Sequence, residues 1–171
     1  MEKIGLFWGS NTGNQEEAVK FLQEYLEGEG YTLELFNIAD TDPSKMLEYT
    51  KLIIGCPTWH IGELQDDWDT IYDEYKKLDF NGKTAAFFGC GDQIGYAENF
   101  LDAIGLLAKP FMENGGKLIG KWPTDAYEFD FSLAQDGDDF LGLGLDNDNQ
   151  DEETEERLII WAELIVEEFK N

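Results

Sequence analysis

The chain has 171 residues, 42% of them hydrophobic and 14% aromatic, enough for one domain with a real core and too aromatic for a disordered segment. Twelve lysines and arginines face thirty-seven aspartates and glutamates, a formal charge of -25 with Arg157 the sole arginine, which excludes nucleic acid as a partner because phosphates need cationic side chains. Two cysteines, Cys56 and Cys90, and one histidine, His60, leave no disulfide framework, no His-rich or Cys-rich metal site and poor means for hydrolytic catalysis.

No apolar run approaches bilayer length, and residues 4–8 follow Met1-Glu2-Lys3 without a cleavage-type segment. The expectation is a single domain over 1–171, soluble, cytoplasmic and monomeric, without membrane insertion. The thiols are expected to be reduced and to pack as small core residues, although neighbouring strands could bring them within bridging reach. The acidity suits solubility and, alternatively, electrostatic steering toward basic proteins.

In chain order, short apolar runs at 4–8, 32–36, 52–56, 84–89 and 118–120 read as buried parallel strands. Between them, apolar residues recur at helical spacing: Ala18, Phe21, Leu22, Tyr25 and Leu26; Trp68, Ile71, Tyr72, Tyr75 and Leu78; Phe100, Ile104, Leu107, Ala108 and Phe111. Leu158, Trp161, Ala162, Ile165 and Phe169 mark a last helix, and these aromatic residues are assigned to core packing. Asp42-Pro43 signals a short capped helix, and Gly115-Gly116 a helix end. The alternation predicts an α/β fold, a doubly wound five-stranded parallel sheet of order 2-1-3-4-5. Residues 121–151, rich in Asp, Gly and aromatics, read as an insertion that splits the fifth strand before a second short run at 141–145. Its role is structural or partner docking.

In such a sheet ligands lie outside the carboxyl ends of the strands, where the winding reverses, so three loops matter. After strand 1 come Ser10, Asn11, Thr12, Gly13, Asn14 and Gln15, hydroxyls and amides at a helix mouth that offer many donors to one anion without a cationic side chain. The Walker and dinucleotide patterns are both missing. After strand 3, Trp59 sits in a polar loop with Gly62; after strand 4, Tyr96 sits beside glycines and polar side chains. Two aromatics across one cleft would stack on a planar ligand.

Taken together these motifs resemble a long-chain flavodoxin of the cyanobacterial and algal type. The resemblance runs through Ser10 to Gln15, Ile53-Ile54-Gly55-Cys56-Pro57-Thr58-Trp59, Ile61-Gly62-Glu63-Leu64-Gln65, Phe88-Gly89, Gly91-Asp92-Gln93-Ile94-Gly95-Tyr96 and the split fifth strand. It implies a flavodoxin-like fold and non-covalent FMN, with the phosphate on Ser10, Asn11, Thr12, Gly13, Asn14 and Gln15 and the ring between Trp59 and Tyr96. Asp92 and the amides of Cys90 and Gly91 would meet the pyrimidine edge. Thr58, Asn99 and Asp148 would lie by the ring or ribityl chain, and the loop of His60, Ile61 and Gly62 would turn a peptide carbonyl toward the ring. Two departures stand out: Gln15 replaces the usual hydroxyl residue, and His60 stands where relatives commonly carry Asn or Gly.

The resemblance further implies a low-potential one-electron carrier and no enzyme. Ile61 and Ile94 would rim an exposed flavin edge, while Asp69 and Asp148 would orient basic redox proteins such as ferredoxin-NADP reductase or photosystem I. A flavin-dependent NAD(P)H:quinone reductase is the alternative on this fold, but no basic residues stand ready for an NADPH phosphate. A receiver domain would need an acceptor Asp at Cys56, a C-x5-R phosphatase would need Arg at Gly62, and a calcium loop from Asp146 would need Gly at Asp151.

A unit charge about 7 Å from the ring at an effective dielectric of ~20 is worth roughly 2.4 kcal/mol, so protonation of His60 would move the flavin's potential. The potential of the second reduction step should change with pH near roughly 6 to 7, and His60→Asn should remove part of that change. Potentiometric titration across this range checks it, and identical curves for the two proteins would reject it.

Overall fold

The computed structural model describes residues 2–9, 13–59 and 61–171, with Trp59 described through its backbone. In chain order the main elements are β1 (Lys3–Trp8), α1 (Asn14–Gly28), β2 (Thr32–Asn37), β3 (Lys51–Gly55), the short pair β4 (Thr58–Trp59) and β5 (Glu63–Leu64), and α2 (Asp66–Tyr75). There follow β6 (Thr84–Cys90), α3 (Asp102–Glu113), β7 (Lys117–Ile119), β8 (Trp122–Pro123), β9 (Gln135–Asp136), β10 (Asp139–Phe140), β11 (Leu143–Leu145) and α4 (Thr154–Phe169).

The central sheet runs β2, β1, β3, β6 and then a split edge position, all parallel. Its edge has two halves: β7 pairs the start of β6, Thr84 with Lys117, and β11 pairs its end, Cys90 with Leu145. This is the doubly wound fold expected from the alternation of elements, with the fifth strand interrupted. Gly120, at φ +77°, turns the chain out after β7, and the inserted segment makes its own small antiparallel sheet, β8, β10 and β9. These two-residue strands carry no readable alternation, so the sequence pattern does not announce them. The Asp42-Pro43 signal corresponds to a 3-10 helix, Pro43–Glu48, with the Asp42 carboxylate accepting from the Ser44 N–H at 2.9 Å.

Two apolar layers flank the sheet. Ile4, Leu6, Ile53, Ala86 and Phe88 face α1 and α4; Phe7, Leu52, Ile54, Ala85 and Phe87 face α2, α3 and the insertion. Each of two buried tryptophans ties a helix to a chain segment at a strand end: Trp68 Nε1–H donates to the Gly55 carbonyl at 3.1 Å and Trp161 Nε1–H to the Gly120 carbonyl at 2.8 Å. A buried indole must place that proton.

Pro110 lies inside α3 and supplies no N–H for the Leu106 carbonyl four residues back. The Tyr72 hydroxyl on α2 donates to that carbonyl at 2.7 Å, and the Tyr75 hydroxyl donates to Leu107 O at 2.6 Å. The gap in the helix ladder is thereby filled by the neighbouring helix.

The insertion is locked onto α3. A Cβ on Gly105 would stand 2.4 Å from the Leu133 carbonyl oxygen, and Phe100 meets Tyr127, Phe129 and Phe140 with ring centroids 5.5 to 5.7 Å apart. Gly105→Ala should therefore destabilise by about 1–3 kcal/mol, overpacking outweighing the better helix propensity of alanine. Urea unfolding monitored by tryptophan fluorescence measures it.

Candidate functional site

Parallel pairing aligns the carboxyl ends of β1, β3, β6 and β11, and a cleft of about 220 Å³ opens there. Its walls are Asn14, Pro57, Thr58, Cys90, Gly91, Asp92, Tyr96, Asn99, Asn147 and Asp148. No lysine or arginine is among them, so an anion held there would meet no cationic side chain among the described residues and would depend on N–H dipoles.

At the end of β1, the Gly9 N–H donates to the Gly55 carbonyl at 3.3 Å, and a Cβ on Gly9 would lie 2.4 Å from Gln65 Oε1. Ser10, Asn11 and Thr12 lie outside the described residues. Gly13 is the N-cap of α1, offers no side chain to its N–H groups and has open space where a Cβ would be. Among the described residues the helix thus begins with no side-chain cap on its first N–H donors, the positive end of its dipole, beside Asn14 on the cleft wall.

Gln15 turns the other way. It is wholly buried, a Cβ on Gly55 would be 2.6 Å from its Nε2, and neither amide atom has a hydrogen-bond partner among the described residues. Its side chain lies off the cleft wall.

After β3, Thr58 reaches the cleft with its hydroxyl already engaged: Oγ1 accepts from the Ala103 N–H at 3.0 Å. That bond caps α3, whose N-cap residue Leu101 has φ 59°, the only positive φ of a non-glycine among the described residues. Such a conformation costs about 1–2 kcal/mol, and the buried Leu101 side chain holds it by filling a notch against Gly91 and Gly144. Trp59 pairs Glu63 in the β4–β5 hairpin; its side chain and the whole of His60 lie outside the described residues. Ile61 is 74% exposed and stands off the wall. Gly62 has φ +74°, and a Cβ there would sit 2.5 Å from Asp102 Oδ2.

After β6, Asp92 lines the cleft, but its Oδ1 accepts from the N–H groups of Ile94 and Gly95, at 3.1 and 2.7 Å, and from Asn149 Nδ2 at 2.8 Å. Partial burial works to raise its pKa, yet the bonds from Gly95, Asn149 and Ile94 outweigh it and hold the carboxyl below the usual range. Asp92 therefore shapes its own loop while leaving a charge beside the cleft. Tyr96 is 44% exposed, unlike the buried core aromatics. Asn99 Nδ2 donates to Asp102 Oδ2 at 3.3 Å.

Asn147, on the segment after β11, is the wall residue that the sequence pattern passes over together with Pro57. Its Nδ2 donates to Asp151 Oδ1 at 2.9 Å, and its buried Oδ1 has no partner among the described residues. The usable signal was positional: it follows a strand end at the ligand edge. Next to it, buried Asp146 accepts from the Gln93 N–H and Nε2 and from Asn149, so its oxygens are committed to nitrogen donors.

Cys56 belongs to the layer under α2 and α3, whereas Cys90 packs with the layer under α1 and α4. They lie on opposite faces of the sheet, which precludes the bridge that strand adjacency alone allowed. Burial pushes the Cys56 thiol far up, and burial with Asp146 and Asp148 pushes the Cys90 thiol up to about 12.

Across 6–161 the chain matches the model of one family, Flavodoxin. This chain belongs to the flavodoxin family. It is 46% identical over 169 residues to a flavodoxin of Picosynechococcus sp., covering 99% of each chain, and 47% identical to one of Synechocystis sp., covering 96% of each. Its fold superposes with a TM-score of 0.92 on the crystal structure of Fusobacterium nucleatum flavodoxin bound to flavin mononucleotide, at 27% identity, covering 98% of this chain and 99% of that one. The cyanobacterial kinship over full length and the split edge strand make it a flavodoxin of the long-chain type.

Asp148 is exposed, and partial burial with the nearby charges of Asp92 and Asp146 raises its pKa. A carboxyl raised in the folded state gains stability as pH falls through that value, with the gain complete below its unfolded pKa. Asp148→Asn should therefore stabilise the ligand-free protein at pH 7, and the difference should vanish below about pH 4. Urea unfolding at both pH values reads the sign.

Proposed function

We propose that this flavodoxin-family chain binds one FMN non-covalently in the cleft and carries single electrons at low potential between other redox proteins. The observation that carries this reading is one cleft where the N-terminus of α1, without a side-chain cap among the described residues, meets the exposed Tyr96 ring and the Asn147 side chain. The cleft's chemistry fits the cofactor: an anionic tail suits N–H dipoles, and a flat ring suits an aromatic wall.

When bound, FMN takes up and releases electrons one at a time. Ser10, Asn11, Thr12, Gly13, Asn14 and the backbone N–H of Gln15 would hold its phosphate, while Trp59 and Tyr96 would clasp its ring. Asn147, Asn99 and Thr58 would border the ribityl chain and ring, with Cys90 and Gly91 beside the ring's polar edge. His60, Ile61 and Gly62 would form the hairpin against it. Asp92 and Asp148 keep negative charge nearby, which disfavours adding further electrons and so lowers the potential. The flavodoxin relatives support the carrier reading over the quinone-reductase alternative.

Electrons would leave across the edge framed by exposed Ile61 and Ile94. Basic redox proteins, ferredoxin-NADP reductase and photosystem I among them, are the partners proposed. Two unbridged thiols, Cys56 buried and Cys90 half-buried, suit a reducing cytoplasm as the place of work. Among the described residues no helix is long and apolar enough to cross a membrane.

The purified protein should be yellow, and anaerobic reductive titration should resolve two separate one-electron steps in its absorption. Tyr96→Ala should weaken FMN binding by about 0.5–1.5 kcal/mol, roughly two- to twelvefold, read from fluorescence quenching on titration of the apoprotein. A colourless preparation that refuses added FMN would overturn the proposal.

A further inference from the structure

Phe131, in the insertion, is 56% exposed, although apolar burial favours hiding a ring of that size. Its backbone is held on all sides. The N–H groups of Asp130 and Phe131 both donate to the Ala97 carbonyl, at 2.8 and 3.1 Å, and the Phe131 carbonyl accepts from the Phe100 N–H at 3.3 Å. Two residues on, the Leu133 N–H donates to Asp102 Oδ1 at 2.8 Å, while Ser132 between them is buried. The ring is thus displayed from a fixed backbone rather than left on a loose tip.

Its place matters. Ala97 follows Tyr96, so Phe131 is fastened to the same turn that carries Ile94 and Tyr96, both exposed. Charge in the neighbourhood has one sign. Glu98, Glu128 and Asp130 are exposed, and no lysine or arginine occurs between Lys83 and Lys109 or between Lys121 and Arg157.

We infer that Phe131 is a docking anchor of the insertion, extending the electron-exchange face so that it seats a basic redox protein with an apolar contact at the centre of its cationic surface. The inference rests on the carrier reading above. An aromatic ring already fixed in place loses little freedom on binding, which is how a single side chain becomes a hot spot. The acidic surroundings guide the partner in and repel a second copy of this strongly anionic chain.

The test uses the FMN-loaded protein and ferredoxin-NADP reductase as the basic probe, with dissociation constants from difference absorption at several salt concentrations. Phe131→Ala should weaken association about tenfold, Phe131→Trp should restore it to within about twofold, and the salt dependence should keep its slope because no charge is removed. FMN affinity and thermal midpoint should match the native protein. Native protein that binds the reductase while Phe131→Ala binds it equally well would overturn the anchor and leave the carrier reading standing. Native protein that neither binds the reductase nor exchanges electrons with it at low salt would overturn the partner reading itself. A concentration-dependent dimer in sedimentation that Phe131→Ala dissolves would assign the face to a second copy and reject the proposal.

Discussion

Parallel strands that end level with one another make this site, and they come together closely because glycines stand at the points of nearest approach. A Cβ on Gly89 would lie 2.3 Å from the Cys56 carbonyl oxygen, and one on Gly55 would lie 2.5 Å from the Phe88 ring. Gly142 similarly brings the start of the returning edge chain within reach of Phe87, where a Cβ would stand 2.2 Å from its carbonyl oxygen. Without these approaches the loops after β1, β3, β6 and β11 would not share one wall. The sheet's register therefore sets the cleft, and the side chains on the loops only decorate it.

The electrostatics follow from the same arrangement. With no lysine or arginine on the cleft wall, an anion there would rest on oriented N–H groups, and α1 opens into the cleft with no side-chain cap among the described residues. The acids near the cleft are separated by their hydrogen bonding. Asp92 and Asp146 are satisfied by backbone and amide donors, whereas Asp148 has its pKa raised by partial burial and by its neighbours' charge. The field at the cleft is thus negative by construction and local in origin.

A second junction links the insertion to the cleft. Asp102, itself nearly buried with its pKa raised by burial, accepts from Leu133 on one side and Asn99 on the other, and its Oδ2 lies against Gly62. One residue before it, Leu101 holds a left-handed turn; one after, Ala103 donates to Thr58. Through five consecutive residues from Asn99 to Ala103, the hairpin after β3, the turn after β6 and the insertion are fastened together. Gln93 adds a second tie, its Oε1 accepting from the Glu128 N–H at 2.6 Å while its Nε2 donates to Asp146.

The strands were legible because buried parallel strands are continuous apolar runs, and the helices because Ala18, Leu22 and Leu26 or Trp161, Ile165 and Phe169 repeat at helical spacing. Fold class, strand order, the split edge and the polar loop at the mouth of α1 follow from such local patterns together with the handedness of crossovers. The inward turn of Gln15, the commitment of the Thr58 hydroxyl to α3, the Asp92 carboxylate closing its own loop and the bond of Asn147 Nδ2 to Asp151 do not. Each depends on which atom lies opposite, often forty or more residues away in the chain, as with Thr58 and Ala103. Local pattern by itself determined which segments would be strands and helices and which strand ends would face a ligand. Only the tertiary structure decided which polar side chains were left free to meet one, because a hydrogen-bonding group is spent or available according to its neighbours in space.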